Sequence, residues 1–193
     1  IHTVLVTSAR PGEGKTTIAS NIAITFAVAG GTVLLIDADL RAPSLHAALS
    51  LPNSLGLTNY LAGDASPASI AQPTQVQRLF TITSGPLPPN PVELLSSAKM
   101  LDLLSIASER FDHVVVDGPP VLGLADALVL SKVSGGTIFV VDAGRTRNGE
   151  LDGAIKRLRT ANAAILGAVL DRFGRQGHGY GYGYNYDYHY TYG

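Results

Sequence analysis

The run Ser8-Ala9-Arg10-Pro11-Gly12-Glu13-Gly14-Lys15-Thr16-Thr17 has the residue types that hold a polyphosphate. Gly12 and Gly14 let the backbone curl so that successive N–H groups point inward. Lys15 supplies a cation for the β- and γ-phosphates, and the Thr16 hydroxyl is placed to ligate Mg²⁺. The strict form of such a loop has glycine where Ala9 stands, so this is a variant. Two acidic clusters extend the set, Asp37-Ala38-Asp39-Leu40-Arg41 and Asp117-Gly118-Pro119-Pro120. Mg²⁺ takes oxygen ligands in octahedral geometry and keeps several waters. One hydroxyl, phosphate oxygens and waters held by Asp117 and by Asp37 or Asp39 would complete a site. At the far end of the chain stand Tyr180, Tyr182, Tyr184, Tyr186, Tyr188, Tyr190 and Tyr192, seven of its eight tyrosines. A row of phenols gains meaning on a chain that handles phosphate.

The elements that must position these groups are legible as apolar runs. Val4–Thr7, Val33–Asp37, Phe80–Thr83, Val114–Asp117, Thr137–Val141 and Ile165–Leu170 read as strands, most of them apolar on both faces. Thr16–Ala29, Pro91–Arg110, Leu124–Val133 and Gly149–Ala161 read as helices. For the second of these, Asn90-Pro91-Val92-Glu93 reads as a helix start, with Leu94, Ala98, Leu101 and Leu104 marking one face. Such alternation predicts an α/β P-loop fold, a mainly parallel central sheet flanked by helices. Ligands in that architecture sit at the carboxyl ends of strands, where all three motifs fall.

Composition narrows the classes further. With 193 residues and 46% hydrophobic content, one well-buried domain is expected, over 1–172, followed by a tail over 173–193. From Gly177 onward there is no Leu, Ile, Val, Met or Phe, so the tail reads as a flexible tyrosine-rich segment. A net charge of −1 with scattered Lys and Arg gives no electrostatic case for nucleic acid. Absence of cysteine suits the cytoplasm. The apolar stretch Ile18–Ala29 is too short to span a bilayer, which takes roughly 20 residues. The chain opens at Ile1 directly on a strand-like run, which reads as a piece of a longer protein.

Taken together, the motifs resemble the bacterial tyrosine kinases of capsule and exopolysaccharide systems. The resemblance rests on Pro11-Gly12-Glu13-Gly14-Lys15-Thr16, on Leu34-Leu35-Ile36-Asp37-Ala38-Asp39-Leu40-Arg41 and on Val114-Val115-Val116-Asp117-Gly118-Pro119-Pro120. It extends through Ser84-Gly85-Pro86-Leu87-Pro88-Pro89-Asn90-Pro91-Val92-Glu93-Leu94-Leu95 and Asp126 to the tyrosine cluster. It implies ATP- and Mg²⁺-dependent autophosphorylation of the tail, Tyr180 to Tyr192, mostly between subunits of a ring-shaped homo-oligomer. It also implies a place at the inner face of the cell membrane, through a membrane-spanning activator or a fused membrane segment. On the same basis Lys15, Asp37, Asp39 and Asp117 are the catalytic set, and Thr16, Asp39 and Asp117 serve the metal. Arg10, Pro11, Gly12, Glu13, Gly14, Lys15, Thr16, Thr17 and Arg172 line the ATP. Which of Asp37 and Asp39 accepts the phenol proton is left open. Arg41 either stabilises developing charge or pairs with a neighbouring carboxylate, the second being favoured.

The rival is an ATPase of the partitioning and septum-positioning type, which dimerises on ATP without kinase activity. Its hallmark is an extra lysine early in the loop that reaches across the dimer, and Arg10 keeps a positive charge at that position. Pro11, the Asp37/Asp39/Arg41 set and the tail weigh for the kinase. A further alternative makes the body a weakly catalytic regulatory module and the tail a self-associating low-complexity segment.

Overall fold

In a computed structural model, which describes residues 2–173, seven strands form one sheet in the order β3-β4-β2-β5-β1-β6-β7. They are β1 (Thr3–Ser8), β2 (Val33–Asp37), β3 (Ala71–Pro73), β4 (Leu79–Ile82), β5 (His113–Asp117), β6 (Gly136–Asp142) and β7 (Ile165–Asp171). Every pairing is parallel except β3 with β4. Parallel strands need crossovers, and the long helices supply them: α1 (Lys15–Val28), α6 (Ala98–Arg110), α7 (Asp126–Val133) and α8 (Asn148–Thr160). Short helices α2 (Leu45–Ala48), α3 (Leu57–Ala62), α4 (Pro67–Ile70) and α5 (Pro91–Leu95) fill the connections.

The near-continuous apolar strands are explained by burial on both faces. Val6, Leu35, Val115 and Val140 pack against Ala19, Ala23 and Ala27 of α1 and Leu45 of α2. On the opposite face Leu34, Ile36, Val114 and Val116 meet Leu57, Met100, Leu103 and Leu104, while Phe139 meets Ala127, Ala154 and Leu158. The alanines of α1 bring the helix close to the sheet, fixing the loop at its start against the ends of β1, β2 and β5. From β1 the chain crosses to β2 on one side, while β6 and β7 extend the sheet on the other. The loop after β1 therefore opens at a topological switch point.

Three expectations about the elements are corrected. Pro91–Arg110 is two helices, broken at Ser96 and Ser97, whose hydroxyls bond back to the carbonyls of Val92 and Leu94. The break shifts the register, so Met100, Leu103, Leu104 and Ala107 are buried and Leu101 is 52% exposed. Asn90 stands at the helix start, but its side chain donates to Glu93 and makes no cap bond to the backbone. The strand β7 stands as read and, lying at the sheet edge, leaves Leu166 and Leu170 exposed. The tyrosines from Tyr180 to Tyr192 lie outside the described residues. No helix among the described residues is long and apolar enough to cross a membrane.

Candidate active site

The loop between β1 and α1 closes through glycine. Gly12 and Gly14 have φ of +79° and +90°, a region costly for other residues, and a Cβ at Gly14 would lie 2.5 Å from Asp171 Oδ2. Gly14 ends the loop in this left-handed conformation and α1 begins at Lys15, so the free N–H groups of the first helical turn point at the loop. Glu13 is turned inward and almost wholly buried. Its carboxylate accepts from the Arg10 N–H at 2.7 Å and from the Thr146 hydroxyl, bracing the loop against the β6–α8 connection.

A cavity of about 370 Å³ opens on this loop, lined by Pro11, Gly12, Gly14, Lys15, Thr16, Thr17, Asp39, Ala42, Ser44 and Arg172. Eight of the residues singled out from the sequence thus share one wall. Arg10 and Glu13 do not line it: Arg10 turns outward to an ion pair with Glu150, Nε to Oε1 2.7 Å, and Glu13 sits behind the loop. Arg172 lines the cavity, yet its guanidinium is engaged by Asp142 and by the Gly12 carbonyl.

Beneath the cavity the acidic strand ends converge. β2 and β5 are adjacent and in register, with Asp37 beside Asp117. Asp37 is fully buried, and its oxygens accept from Asp39 N at 3.2 Å and Leu45 N at 3.1 Å. Asp39 accepts from Arg41 N and Ala42 N through Oδ1 and reaches the cavity wall. Thr16 donates to Asp117 Oδ2 at 2.6 Å, and Asp117 Oδ1 is buried without a hydrogen-bond partner. Burial and the neighbouring Asp117 charge push Asp37 up to about 7. Burial likewise pushes Asp117 up to about 7 against the opposing pull of Thr16 and Lys15.

Two such carboxyls side by side, one with an orphaned oxygen, are what a cation would relieve. Among the described residues no three His, Cys, Asp or Glu gather as a metal cage. The donor set instead fits Mg²⁺, which takes few protein ligands and completes its shell with water and phosphate oxygens.

Arg41 makes a two-pronged pair with the buried Asp126 at the start of α7, Nε–Oδ2 2.6 Å and Nη2–Oδ1 3.2 Å. Of its two possible roles, pairing with a carboxylate is the one observed. Sequence reading did not select Ser44, whose hydroxyl lies 2.8 Å from Thr16 Oγ1, or Thr146, the brace on Glu13. Neither has a local signal, since each meets its partner only through the fold.

Comparison with known proteins completes the assignment. The AAA domain family matches residues 1–162. The tyrosine-protein kinase YwqD of Bacillus subtilis is 43% identical over 171 residues, covering 89% of this chain and 72% of that protein. The kinase domain of the Escherichia coli tyrosine kinase ETK superposes with a TM-score of 0.88 at 36% identity, covering 95% and 72% of the two chains. The cell division ATPase MinD of Pyrococcus furiosus shares the fold at a TM-score of 0.77 and 26% identity, covering 91% and 74%. With a phosphate loop, paired strand-end aspartates and relatives of that kind, the chain belongs to the bacterial tyrosine kinases and is a protein-tyrosine kinase on a P-loop ATPase fold.

Proposed function

We propose that this kinase transfers the γ-phosphoryl group of ATP to tyrosines of its own C-terminal segment, Tyr180 to Tyr192, between chains of a homo-oligomer. The observation that carries the proposal is the joining of Lys15, Thr16 and Asp39 on one cavity wall, over the partnerless oxygen of Asp117, in a chain that also carries the seven phenols Tyr180 to Tyr192. The loop N–H groups and Lys15 hold the β- and γ-phosphates, and Arg172 closes one side. Thr16, Asp39 and Asp117 would hold Mg²⁺, which neutralises charge on the transferring group. The phenol oxygen bonds to the γ-phosphorus as the bond to the bridging oxygen breaks and ADP leaves. Asp39, the member of the acidic pair that reaches the cavity, accepts the phenol proton. Asp37, buried behind it, holds the turn.

Following the family resemblance, we assign this activity to the control of capsular or exopolysaccharide polymerisation and export. It would act at the inner membrane face with a membrane-spanning activator or fused segment. About twenty tail residues at ~3.3 Å each reach about 65 Å, enough to meet a neighbouring chain. Incubation with Mg-ATP should raise the mass of the chain by multiples of one phosphate, with Lys15→Met unchanged. ATP turnover with no mass gain in the tail would return the septum-positioning reading. Transfer between chains is tested by mixing Lys15→Met with an active chain whose tail tyrosines are phenylalanine. Labelling of the inactive partner is expected, and an unlabelled partner would mean transfer within one chain.

A further inference from the structure

On the other side of the phosphate loop from the acidic pair lies a second cavity of about 270 Å³, lined by Arg10, Pro11, Glu13, Arg145, Arg147 and Glu150. Its two carboxylates are spent. Glu13 accepts from the Arg10 N–H and the Thr146 hydroxyl, and Glu150 accepts from Arg10 Nε and the Arg147 N–H. Arg145 and Arg147 are exposed on the β6–α8 loop and make no ion pair among the described residues, whereas Arg10, Arg41 and Arg172 each do. Arg145 also reaches back over the loop, since a Cβ built on Gly12 would lie 3.6 Å from its Nη1. Three guanidinium groups against two engaged carboxylates leave a positive site beside the phosphate loop.

The last described residues lie against the same phosphate loop. β7 ends at Asp171, and the next residue, Arg172, touches the Gly12 carbonyl at 3.5 Å. A phosphotyrosine carries about −1.5 to −2 charge, so the carboxylates Asp37, Asp39 and Asp117 repel it once it is made. Guanidinium groups bind such a dianion through paired N–H donors. We propose that Arg145 and Arg147 form an aryl-phosphate site that holds a phosphotyrosine of the C-terminal segment while another tyrosine is presented to Asp39. This rests on the self-phosphorylation proposed above. Every second tail residue is a tyrosine, so in an extended segment the next phenol follows the held one by roughly 7 Å. Retention at the rim keeps the segment at high local concentration, and phosphates accumulate within one encounter.

Two measurements decide the matter on the whole chain. With saturating Mg-ADP filling the phosphate loop, phenyl phosphate is titrated against arginine Nε resonances. Binding is expected to be at least about tenfold weaker in Arg145→Ala/Arg147→Ala, and benzoate, with the same ring and a single charge, should not substitute. Equal phenyl phosphate affinity in the two proteins, or equal binding of benzoate, overturns the site. With Mg-ATP, intact masses should show wild type passing quickly to multiply phosphorylated chains. The double variant should add its first phosphate at the wild-type rate and then accumulate singly modified chains. Superimposable mass distributions, or a loss already present in the first transfer, overturn the proposal. A wild-type chain that takes up no phosphate sinks the self-phosphorylation reading alone, because the phenyl phosphate titration still decides whether the site exists.

Discussion

The carboxyl edge of the sheet has two halves built on opposite terms. At the ends of β2 and β5 the carboxylates are buried and bound, Asp37 and Asp39 by backbone N–H groups, while the more open Arg41 is tied to the buried Asp126. Past β6, whose terminal Asp142 is buried and paired with Arg172, the β6–α8 loop carries Arg145 and Arg147 in solvent. Groups that must act on a reacting atom need fixed positions, which low exposure and multiple bonds supply. Groups that must catch a charged segment need access. The difference separates the half proposed to perform transfer from the half proposed to recognise.

The most damaging test of that division falls on the bound half. Lys15→Met removes the cation proposed to neutralise the transferring phosphates, and phosphotransfer should fall by about 10³-fold or more. Asp39→Asn should cost about 10²-fold or more. Phosphate incorporation by intact mass measures both, and an Asp39→Asn chain as active as wild type would remove Asp39 from the proposed mechanism.

Next comes Asp117→Asn, where activity and stability should part. Folding lifts Asp117 from 3.8 to about 7, so over that window the folded chain keeps a proton that the unfolded chain releases, and stability falls as pH rises. Lys15, Thr16, Asp37 and Asp39 face this carboxyl, and Asp37 titrates over the same range. Replacing the carboxyl by an amide should remove its share of the slope and raise apo stability at pH 8 by about 2 kcal/mol, while phosphotransfer is lost. Urea unfolding at pH 5 and pH 8 checks the sign. An Asn variant with the wild-type slope would mean that the carboxyl bears no strain.

Arg41→Ala should have a smaller effect, felt first as stability. Asp126 is fully buried, so removing its partner strands a charge and should cost about 1–3 kcal/mol, moderated because Arg41 is partly open to water. The Asp39 turn begins two residues away, so a loss of about tenfold in phosphotransfer should accompany it. A double-mutant cycle with Asp126→Ala isolates the pair, and additive losses would show that the two do not act together.

How much of this was legible in the sequence depended on range. The phosphate loop, the strand-end aspartates and the long crossover helices are local patterns, and each stands where the pattern put it except Pro91–Arg110, which is two helices. The short helices α2, α3 and α4 and the three-residue β3 are too short to show a period. The kink at Ser96 and Ser97 hid inside a pattern that ran on through it. Contacts such as Thr146 with Glu13, 133 positions apart, are made only by the folded sheet. Sequence alone placed both Asp37 and Asp39 at the site and could not rank them, because the burial that separates them is set by Leu45 and by strand register.

The smallest expected effect is the one that bears most on the rival ATPase reading. In that class the cation at the Arg10 position works across a dimer, so its loss would be expected to abolish ATP-driven association. Here Arg10 is tied to Glu150 of its own chain, at an exposed site where such a pair is worth about 0–1 kcal/mol. Arg10→Ala should therefore lower stability by no more than about 1 kcal/mol and leave nucleotide affinity within about twofold. Light scattering in Mg-ATP should give one assembly size for wild type and variant. A variant that stays monomeric where wild type associates would move Arg10 from the bracing of its own loop to a contact between chains, and with it the boundary between the two halves of the sheet edge.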